Sequence, residues 1–408
     1  PGFAARQPVR TRSAAAIIQC RARRHGISCG RDVPPGHVGL SPYVPLMRIR
    51  ARFPKISSWP RWMPAAGFGA ALLHLDKMNN IALAATGTIL VGCILAAVHH
   101  GEVVAHRVGE PFGTLILAGA VTIIEASLIL SMMLSGSANP ALPRDTVFAA
   151  IMLILNGVVG GCLLVGGIRH GEQRFVLEGV NAALCVLAAM ATLVLVLPSV
   201  SGGAAAHYSE AQLAFTAIVS TLLYATFVFV QTIRHRDYFL PAGEGVLAGD
   251  AHAPPPSART AAGSLGLLLL ALVSVVLLSK SLSEPLETAI ATAALPRALV
   301  GIAIAALVLA PESLAALRAA RRNRLQTSHN LALGSALATI GLTIPTVAIA
   351  ALVMGWPLSL GLDPKGITLL TLSLGVAILS FGTGRTTILQ GAVHLVLLTA
   401  YIFSTVFS

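Results

Sequence analysis

Long apolar runs recur along this chain, and they constrain its fold more than any other feature. Hydrophobic residues make up 55% of the 408 residues and charged residues only 11%, whereas soluble domains carry about 25% charged residues. A run of about 17–25 apolar residues can cross a bilayer as a helix, and a helix satisfies its own backbone hydrogen bonds in lipid. The sequence therefore predicts an all-α polytopic membrane protein whose first partner is the lipid bilayer.

The apolar runs form two groups of five on either side of a polar segment. That segment, RHRDYFLPAGEGVLAGDAHAPPPSART, carries charges and a PPP run, which predict a loop. A shorter run, Pro64–Leu75, predicts one weak helix before the two groups, so the expected number of transmembrane helices is 10–11. The ten longer runs are Ile81–Val98, Phe112–Leu134, Thr146–Ile168, Val176–Leu197, Gln212–Ile233, Ala262–Ser279, Ala298–Leu317, Asn330–Val353, Gly366–Ser380 and Thr386–Phe407.

Five is an odd number, so the second group must enter the membrane from the side opposite to the first. If the groups are homologous, they form an inverted repeat, which is typical of secondary transporters with an ion site near the midplane. The predicted segments are a basic, disordered N-terminal segment (1–63), the first helix with the first five-helix repeat (64–233), a linker (234–261) and the second five-helix repeat (262–408).

The excess positive charge belongs to the N-terminal segment. Up to Trp62 the chain holds 12 of its 28 Lys and Arg residues and one of its 16 acids, Asp32, which leaves 16 basic and 15 acidic residues. The membrane body is thus nearly neutral, and we expect no nucleic-acid partner. The first Met is Met47, and we expect the natural start there; a transit peptide is the alternative explanation of the preceding residues.

Positive charges in the loops predict the orientation, because cytoplasmic loops are enriched in Lys and Arg. One set of alternate loops, which includes the linker, carries 11 such residues, and the opposite set carries 5. The linker is therefore expected to be cytoplasmic. The first set is Arg107, Arg169, Arg174, Arg234, Arg236, Arg259, Arg318, Arg321, Arg322, Arg324 and Arg385; the second is Lys77, Arg144, Lys280, Arg297 and Lys365.

Two carboxylates lie in the middle of apolar runs. Glu125 in VTIIEASLIL and Glu312 in VLAPESLAAL each belong to the second predicted helix of their half. An ionised acid at bilayer depth costs at least ~2.5–3.5 kcal/mol, and no Lys or Arg is predicted at midplane to compensate. The sequence predicts that both glutamates bind a transported cation and protons. The alternative is a pair of permanently protonated glutamates that are hydrogen-bonded to neighbouring helices.

Further oxygen ligands are predicted near these acids, because Ca²⁺ takes 6–8 oxygens. Pro311 frees the backbone carbonyl of Leu307. A gapless alignment of Asp145 with Asn330 places Asn156 opposite Gly341 in the third helices. Helix packing is the alternative for the small and polar residues, and a favourable helix start is the alternative for Glu110. The predicted supporting ligands are Leu307, Asn156, Asn330, Ser335, Gln326 and Glu110, and Thr339 is a further polar residue of the same helix.

The sequence lacks the motifs that are typical of several other classes of membrane protein. The chain contains no HExxH, no GxGD and no GxxxxGK[ST], so an intramembrane protease or a nucleotide-driven pump is not expected. Its five cysteines show no CxxC pairing, which predicts neither a disulfide nor a resident metal site. We expect that the protein is not an enzyme, that it binds no cofactor and that it needs no obligate protein partner. The alternative from a different class is a channel lined by glutamates or a non-transporting receptor.

Long motifs resemble those of a known family. Together they are similar to the ChaA-type bacterial calcium/proton antiporters of the calcium/cation antiporter superfamily, from about Pro64 to the C terminus. The resemblance implies a bacterial inner-membrane protein, a five-plus-five inverted repeat after one helix, and a cation-binding acid in each repeat, which match Glu125 and Glu312. The polar HLDKMNN and the residues before Met47 depart from the pattern. The motifs are GEPFGTLILAGAVTIIEASLILSMML, RDTVFAAIMLILNGVVG, VQTIRHRDYFL, VLAPESLAALRAARRNRLQTSHNLALGSALATIGLTIP and GTGRTTILQGAVHLVLLTAY.

The predicted function is an antiporter that exports Ca²⁺, or alternatively Na⁺ or K⁺, in exchange for protons. An empty, doubly ionised pair of glutamates is too costly in the membrane, whereas one Ca²⁺ or two protons neutralise it. Burial favours the neutral form of a carboxyl group, so protons compete with the cation. The residues alone do not rank Ca²⁺ over Na⁺ or K⁺.

Overall fold

The computed structural model describes residues 58–77, 79–109, 112–134, 140–201, 209–240, 255–293, 296 and 298–407. Within these residues the chain is helical almost throughout, and ten helices are long and apolar enough to cross a membrane. The helices are α1 Trp59–Leu72, α2 Asn80–Val108, α3 Phe112–Leu134, α4 Leu142–His170, α5 Leu177–Val200, α6 Glu210–Arg234, α7 Ala258–Thr292, α8 Ala298–Arg321, α9 Leu325–Met354, α10 Pro364–Phe381 and α11 Ile388–Val406.

The predicted helices are confirmed, and several of their ends are moved by local capping. Helix α2 begins after Asn79, whose side chain accepts a hydrogen bond from the Ala82 amide. Helix α6 begins at Glu210, two residues earlier than predicted, because Ser209 and Gln212 form a capping box. Helix α10 begins at Pro364, after Asp363 caps it. Polar residues that the hydropathy pattern leaves in loops therefore belong to the first helical turns.

The weak first helix exists, but it lies earlier in the chain than predicted. Helix α1 covers Trp59–Leu72 and has Pro60 in its first turn. It ends before His74, which adopts the left-handed conformation (φ 47°). Its 14 residues span about 21 Å at 1.5 Å per residue, less than the ~30 Å hydrocarbon core. It packs along α2 and α7, and Ser274 of α7 donates a hydrogen bond to the Pro64 carbonyl.

Helices α2–α6 and α7–α11 form the two halves of an inverted repeat, and the halves interlock. The first helices of the two halves, α2 and α7, pack on each other. The second and fifth helices of each half pack against the third helix of the other half, so α3 and α6 contact α9, whereas α8 and α11 contact α4. Consequently α4 and α9 are the most buried of the ten long helices.

The described loop residues lie at the two ends of the bundle in the two groups that the charge pattern predicts. At the end where the linker begins, which we call the linker end, strands β1 (Gln173–Arg174) and β2 (Arg385–Thr386) pair in antiparallel fashion. Also at this end, the Gln173 side chain donates to the Ala320 carbonyl at 3.0 Å. At the opposite end, the Ser359 amide donates to the Pro140 carbonyl at 2.9 Å. Loops from both halves therefore meet at each end.

Candidate ion-binding site

Glu125 lies in the middle of α3 and is 2% exposed. One carboxylate oxygen, Oε2, accepts a hydrogen bond from the Thr343 hydroxyl at 2.6 Å, and the other, Oε1, accepts one from the Thr339 hydroxyl at 3.3 Å. Both threonines belong to α9, the third helix of the other half. The acid is thus held across the interface between the two repeats.

Glu312 lies in the middle of α8, directly after Pro311. Its Oε2 accepts a hydrogen bond from the Ser335 hydroxyl at 2.5 Å. Its carboxylate is within electrostatic reach of the carboxylates of Glu125 and Glu102. The two glutamates therefore repel each other whenever both are ionised.

One face of α9 supplies all three hydroxyls. Ser335, Thr339 and Thr343 follow one another at intervals of four residues, a spacing that places side chains on one side of a helix. Residues Thr339–Thr343 form a π-helical turn, a feature that frequently marks functional sites. Ser335 and Thr339 are visible in the sequence as polar residues of this helix, and Thr343, which was missed, continues the same four-residue spacing.

Both glutamates line one cavity of about 140 Å³. Its walls come from α3, α6, α8 and α9, and none of the described residues that line it is Lys or Arg. Gln231 and Thr232, near the end of α6, and Asn330, near the start of α9, also line it. Because these three residues lie close to the linker end, the cavity extends from the glutamates towards that end. The α6 residues, which include Tyr224, were missed because hydropathy does not reveal which helices share a cavity.

The predicted ligands Asn330 and Ser335 belong to this cavity, and Gln326 lies just behind it. The Asn330 side chain donates to the Phe239 carbonyl at 2.6 Å and accepts from the Gln326 amide at 3.1 Å. Gln326 also accepts a hydrogen bond from the Val176 amide at 2.8 Å. Gln326 therefore positions Asn330 instead of facing the glutamates, which corrects the prediction for Gln326.

The structure does not bring Asn156 to the glutamates. Asn156 is fully buried in a π-helical turn of α4, where it donates to the Ser373 hydroxyl at 2.9 Å and contacts His394 Nδ1 at 3.1 Å. The packing of α10 and α11 on α4 explains this placement, because those helices supply both partners. Asn156 thus joins a separate polar cluster, which we name the Asn156 cluster, formed by Asn156, Ser373 and His394.

Two other predicted ligands do not join the site either. Leu307 packs its side chain against the hydrophobic core, and neither this residue nor its carbonyl is among the cavity lining. Glu110 lies outside the described residues. Within the described part of the chain, no group of three or more His, Cys, Asp or Glu side chains could hold a metal ion.

Comparison with known proteins agrees with this architecture. A sequence profile described as sodium/calcium exchanger protein matches residues 80–233 and 263–408, the two five-helix halves. A putative ionic transporter, y4hA, of Sinorhizobium fredii is 46% identical over 87% of this chain and 98% of its own length. The sodium-potassium/proton antiporter ChaA of Escherichia coli is 38% identical over 77% of this chain and 87% of its own length.

Solved structures show the same fold at low sequence identity. Native YfkE has a TM-score of 0.66 with 16% identity, covering 85% of this chain and 99% of its own. The H⁺/Ca²⁺ exchanger CAX has a TM-score of 0.61 with 13% identity, covering 84% of this chain and 88% of its own. With the profile match across both halves and the close bacterial relatives, the chain belongs to the sodium/calcium exchanger family of the calcium/cation antiporters.

Proposed function

We propose that this protein exchanges a cation, with Ca²⁺ as the leading candidate, for protons across the bacterial inner membrane. The observation that carries the proposal is the pairing of Glu125 and Glu312 in one cavity, with no Lys or Arg among the described residues lining it. A carboxylate at this depth requires a compensating proton or cation. Two interacting carboxylates in one cavity can hold either one divalent cation or two protons.

The coupling follows from the charge of the pair. When both glutamates are ionised and empty, their mutual repulsion adds to the cost of burying two charges. One divalent cation or two protons cancel that charge. If only the neutralised states cross between the two access directions, movement of the cation in one direction is tied to movement of protons in the other.

The oxygen count supports a divalent ion. The two carboxylates offer four oxygens, and Ser335 and Thr339, which line the same cavity, offer two hydroxyl oxygens next to them. The resulting maximum of six is the lower bound of the six to eight that Ca²⁺ takes. A relative in Aphanothece halophytica, 26% identical over 79% of this chain, is named a Ca²⁺/H⁺ antiporter.

A monovalent cation is the second candidate. The relative that is 38% identical is named a sodium-potassium/proton antiporter. Two Na⁺ or K⁺ ions, or one such ion with one proton, would cancel the same charge on Glu125 and Glu312. Ca²⁺ and the monovalent ions differ in the number of cations that the pair must hold, which transport can measure.

The test uses purified protein in proteoliposomes with a preformed ΔpH. Ca²⁺, Na⁺ or K⁺ is added, and collapse of ΔpH is followed with a pH-sensitive dye. We expect Ca²⁺ to collapse ΔpH. The initial rate of this collapse should stay the same when the membrane potential is clamped at different values, because exchange of one Ca²⁺ for two protons moves no net charge. If Na⁺ or K⁺ collapses ΔpH and Ca²⁺ does not, the transported cation is monovalent, as the second candidate requires. No proton movement with any of the three cations would refute antiport.

We also propose that the linker end faces the cytoplasm, so that the cavity opens inward in this structure. Support comes from the excess of Lys and Arg in the loops of that end, 11 against 5. The chosen reporter, Ala251, lies in the linker and outside the described residues. A cysteine introduced there should react with an impermeant thiol reagent in everted vesicles and not in intact cells. Labelling in intact cells would invert the assignment.

A further inference from the structure

Tyr224 lies near the middle of α6, at a membrane depth where tyrosine is uncommon. It is about 21 Å along the helix from Glu210 and about 15 Å from Arg234, the two ends of α6. Tyrosines of membrane proteins concentrate at the two membrane–water interfaces, and a buried tyrosine hydroxyl usually has a hydrogen-bond partner. Tyr224 is 8% exposed, and no described residue forms a hydrogen bond with its hydroxyl. Helix packing alone does not account for this hydroxyl.

Gly341 of α9 fixes the position of the Tyr224 ring. The ring packs where Gly341 has no side chain, so an added Cβ at Gly341 would lie 2.7 Å from Tyr224 Cγ. Gly341 belongs to the π-helical turn Thr339–Thr343, whose first and last residues hold Glu125. The close approach of α6 to α9 therefore places the tyrosine beside the hydroxyls of the site.

From this position the Tyr224 side chain reaches the cavity that both glutamates line, which we call the glutamate cavity. The Tyr224 hydroxyl is within electrostatic reach of the Glu312 carboxylate. The two acids differ in their partners among the described residues, because Glu125 accepts two hydrogen bonds, whereas Glu312 accepts one, from Ser335. The free hydroxyl of Tyr224 therefore lies near the acid that has fewer hydrogen-bond partners.

A hydroxyl at this place can contact a carboxylate and a cation at the same time. It has one O–H donor and two lone pairs, so it can donate to an acid and still offer its oxygen to a metal ion. With Tyr224, the six oxygens of the carboxylates, Ser335 and Thr339 become seven, within the six to eight that Ca²⁺ takes. The attraction between an ion and a neutral dipole grows with the charge of the ion. A neutral oxygen of this kind therefore favours a divalent over a monovalent cation.

From the depth of Tyr224, its free hydroxyl and its fixed place against Gly341, we infer that Tyr224 is a ligand of the transported cation and helps to select a divalent ion. The inference rests on the proposed antiport function. The two glutamates supply the charge that neutralises the cation, and the tyrosine supplies an oxygen from a helix outside the pair of helices that carry the acids.

The test measures cation binding directly, because binding can be measured without transport. Ca²⁺ and, separately, Na⁺ are titrated by calorimetry into the full-length protein in detergent, in a buffer free of metal cations. Tyr224→Phe removes the hydroxyl and keeps the ring that packs on Gly341. The matched control is Tyr401→Phe, because Tyr401 is also buried, at 3% exposed, and does not line the glutamate cavity.

Loss of the hydroxyl should weaken Ca²⁺ binding more than Na⁺ binding. In Tyr224→Phe the dissociation constant for Ca²⁺ should rise about five-fold, in the range expected for losing one neutral polar contact. The constant for Na⁺ should rise about two-fold, because a single charge halves the contribution of the same dipole. Tyr401→Phe should leave both constants unchanged. Ca²⁺ should also perturb the near-ultraviolet tyrosine absorption of the wild type, and Tyr224→Phe should remove this perturbation.

Several results would overturn the role of Tyr224. Unchanged dissociation constants, or a wild-type tyrosine spectrum that Ca²⁺ does not alter, would show that the hydroxyl does not contact the cation. Equal increases for Ca²⁺ and Na⁺ would refute the selection of a divalent ion. If Gly341→Ala, which displaces the ring, weakens binding while Tyr224→Phe does not, only the packing of the ring matters.

Failure of the proposed antiport function would be seen in a different variant. If Glu312→Gln binds Ca²⁺ as tightly as the wild type, the paired-carboxylate site is wrong, whatever Tyr224 does. If Glu312→Gln loses binding and Tyr224→Phe does not change it, the cation site stands and only the inference about Tyr224 is refuted.

Discussion

The third helices of the two halves, α4 and α9, occupy equivalent places in the fold but carry different chemistry. Helix α9 presents Ser335, Thr339 and Thr343 to the two glutamates. The gapless alignment places Ala150, Ile154 and Val158 at the corresponding positions of α4. Both acids therefore bond to the same helix, and a symmetric scaffold holds an asymmetric site. Equivalent glutamates need not have equivalent surroundings.

The buried amide of α4, Asn156, lies away from the glutamates. Asn156 aligns with Gly341, where an added Cβ would collide with the Tyr224 ring. In the first half, the Asn156 side chain at the equivalent position forms hydrogen bonds with His394 and Ser373. We infer that α9 holds the ligands whereas α4 holds the bundle together.

Replacing either glutamate should abolish exchange despite their different partners. Glu125→Gln and Glu312→Gln keep the side-chain shape but remove the charge that must be neutralised, and a neutral amide costs less in lipid than a carboxylate. Both proteins should fold and insert, and neither should collapse ΔpH on addition of Ca²⁺, Na⁺ or K⁺. Wild-type rates in both variants would disprove the paired-carboxylate mechanism.

Removing one α9 hydroxyl should weaken cation binding without abolishing exchange. Thr343→Val deletes the 2.6 Å hydrogen bond to Glu125; bonds to charged groups contribute ~1.5–3 kcal/mol, so the half-saturating cation concentration should rise about ten-fold or more. The matched control is Thr346→Val, because that hydroxyl donates to the Leu342 carbonyl of its own helix and does not line the glutamate cavity. Equal effects in the two variants would show that α9 hydroxyls do not serve the site.

Breaking the Asn156 cluster should affect stability and leave cation affinity unchanged. Asn156→Ala leaves the buried His394 and Ser373 without this partner, which costs about 1–3 kcal/mol. The thermal unfolding midpoint in detergent should fall, while the half-saturating cation concentration stays within two-fold of wild type (about 0.4 kcal/mol). A ten-fold change in that concentration would instead place Asn156 in the ion path.

The smallest effect is expected for Glu110→Gln. The sequence places Glu110 just before Pro111 at a helix start, where an acid is electrostatically favourable. The variant should retain most of the wild-type ΔpH collapse. If this variant alone were inactive, the ion site would lie at the membrane edge, and the roles given to Glu125 and Glu312 would have to be abandoned.

The sequence predicts the helices and the two acids because both depend on local patterns. An acid in an apolar run can be recognised from the sequence without knowing which residue it contacts. The same holds for Ser335, which lies four residues before Thr339 in the same helix. Asn156 shows the limit. Its composition and its aligned position favour the ion site, but its partners are fixed by the packing of α10 and α11, more than 200 residues away. Tyr224 was missed for the same reason, because its place in the cavity depends on the packing of α6 on α9, more than 100 residues along the chain.

The interlocking of the halves also sets the order in which this protein can be completed during synthesis. The Glu125–Thr343 and Asn156–His394 bonds join residues 218 and 238 positions apart. A ribosome adding about 5–20 residues per second needs roughly 10–50 s to cover that distance. For that time Glu125 and Asn156 lack these partners. The ion site is therefore complete only once α9 has left the ribosome, and the Asn156 cluster only once α11 has.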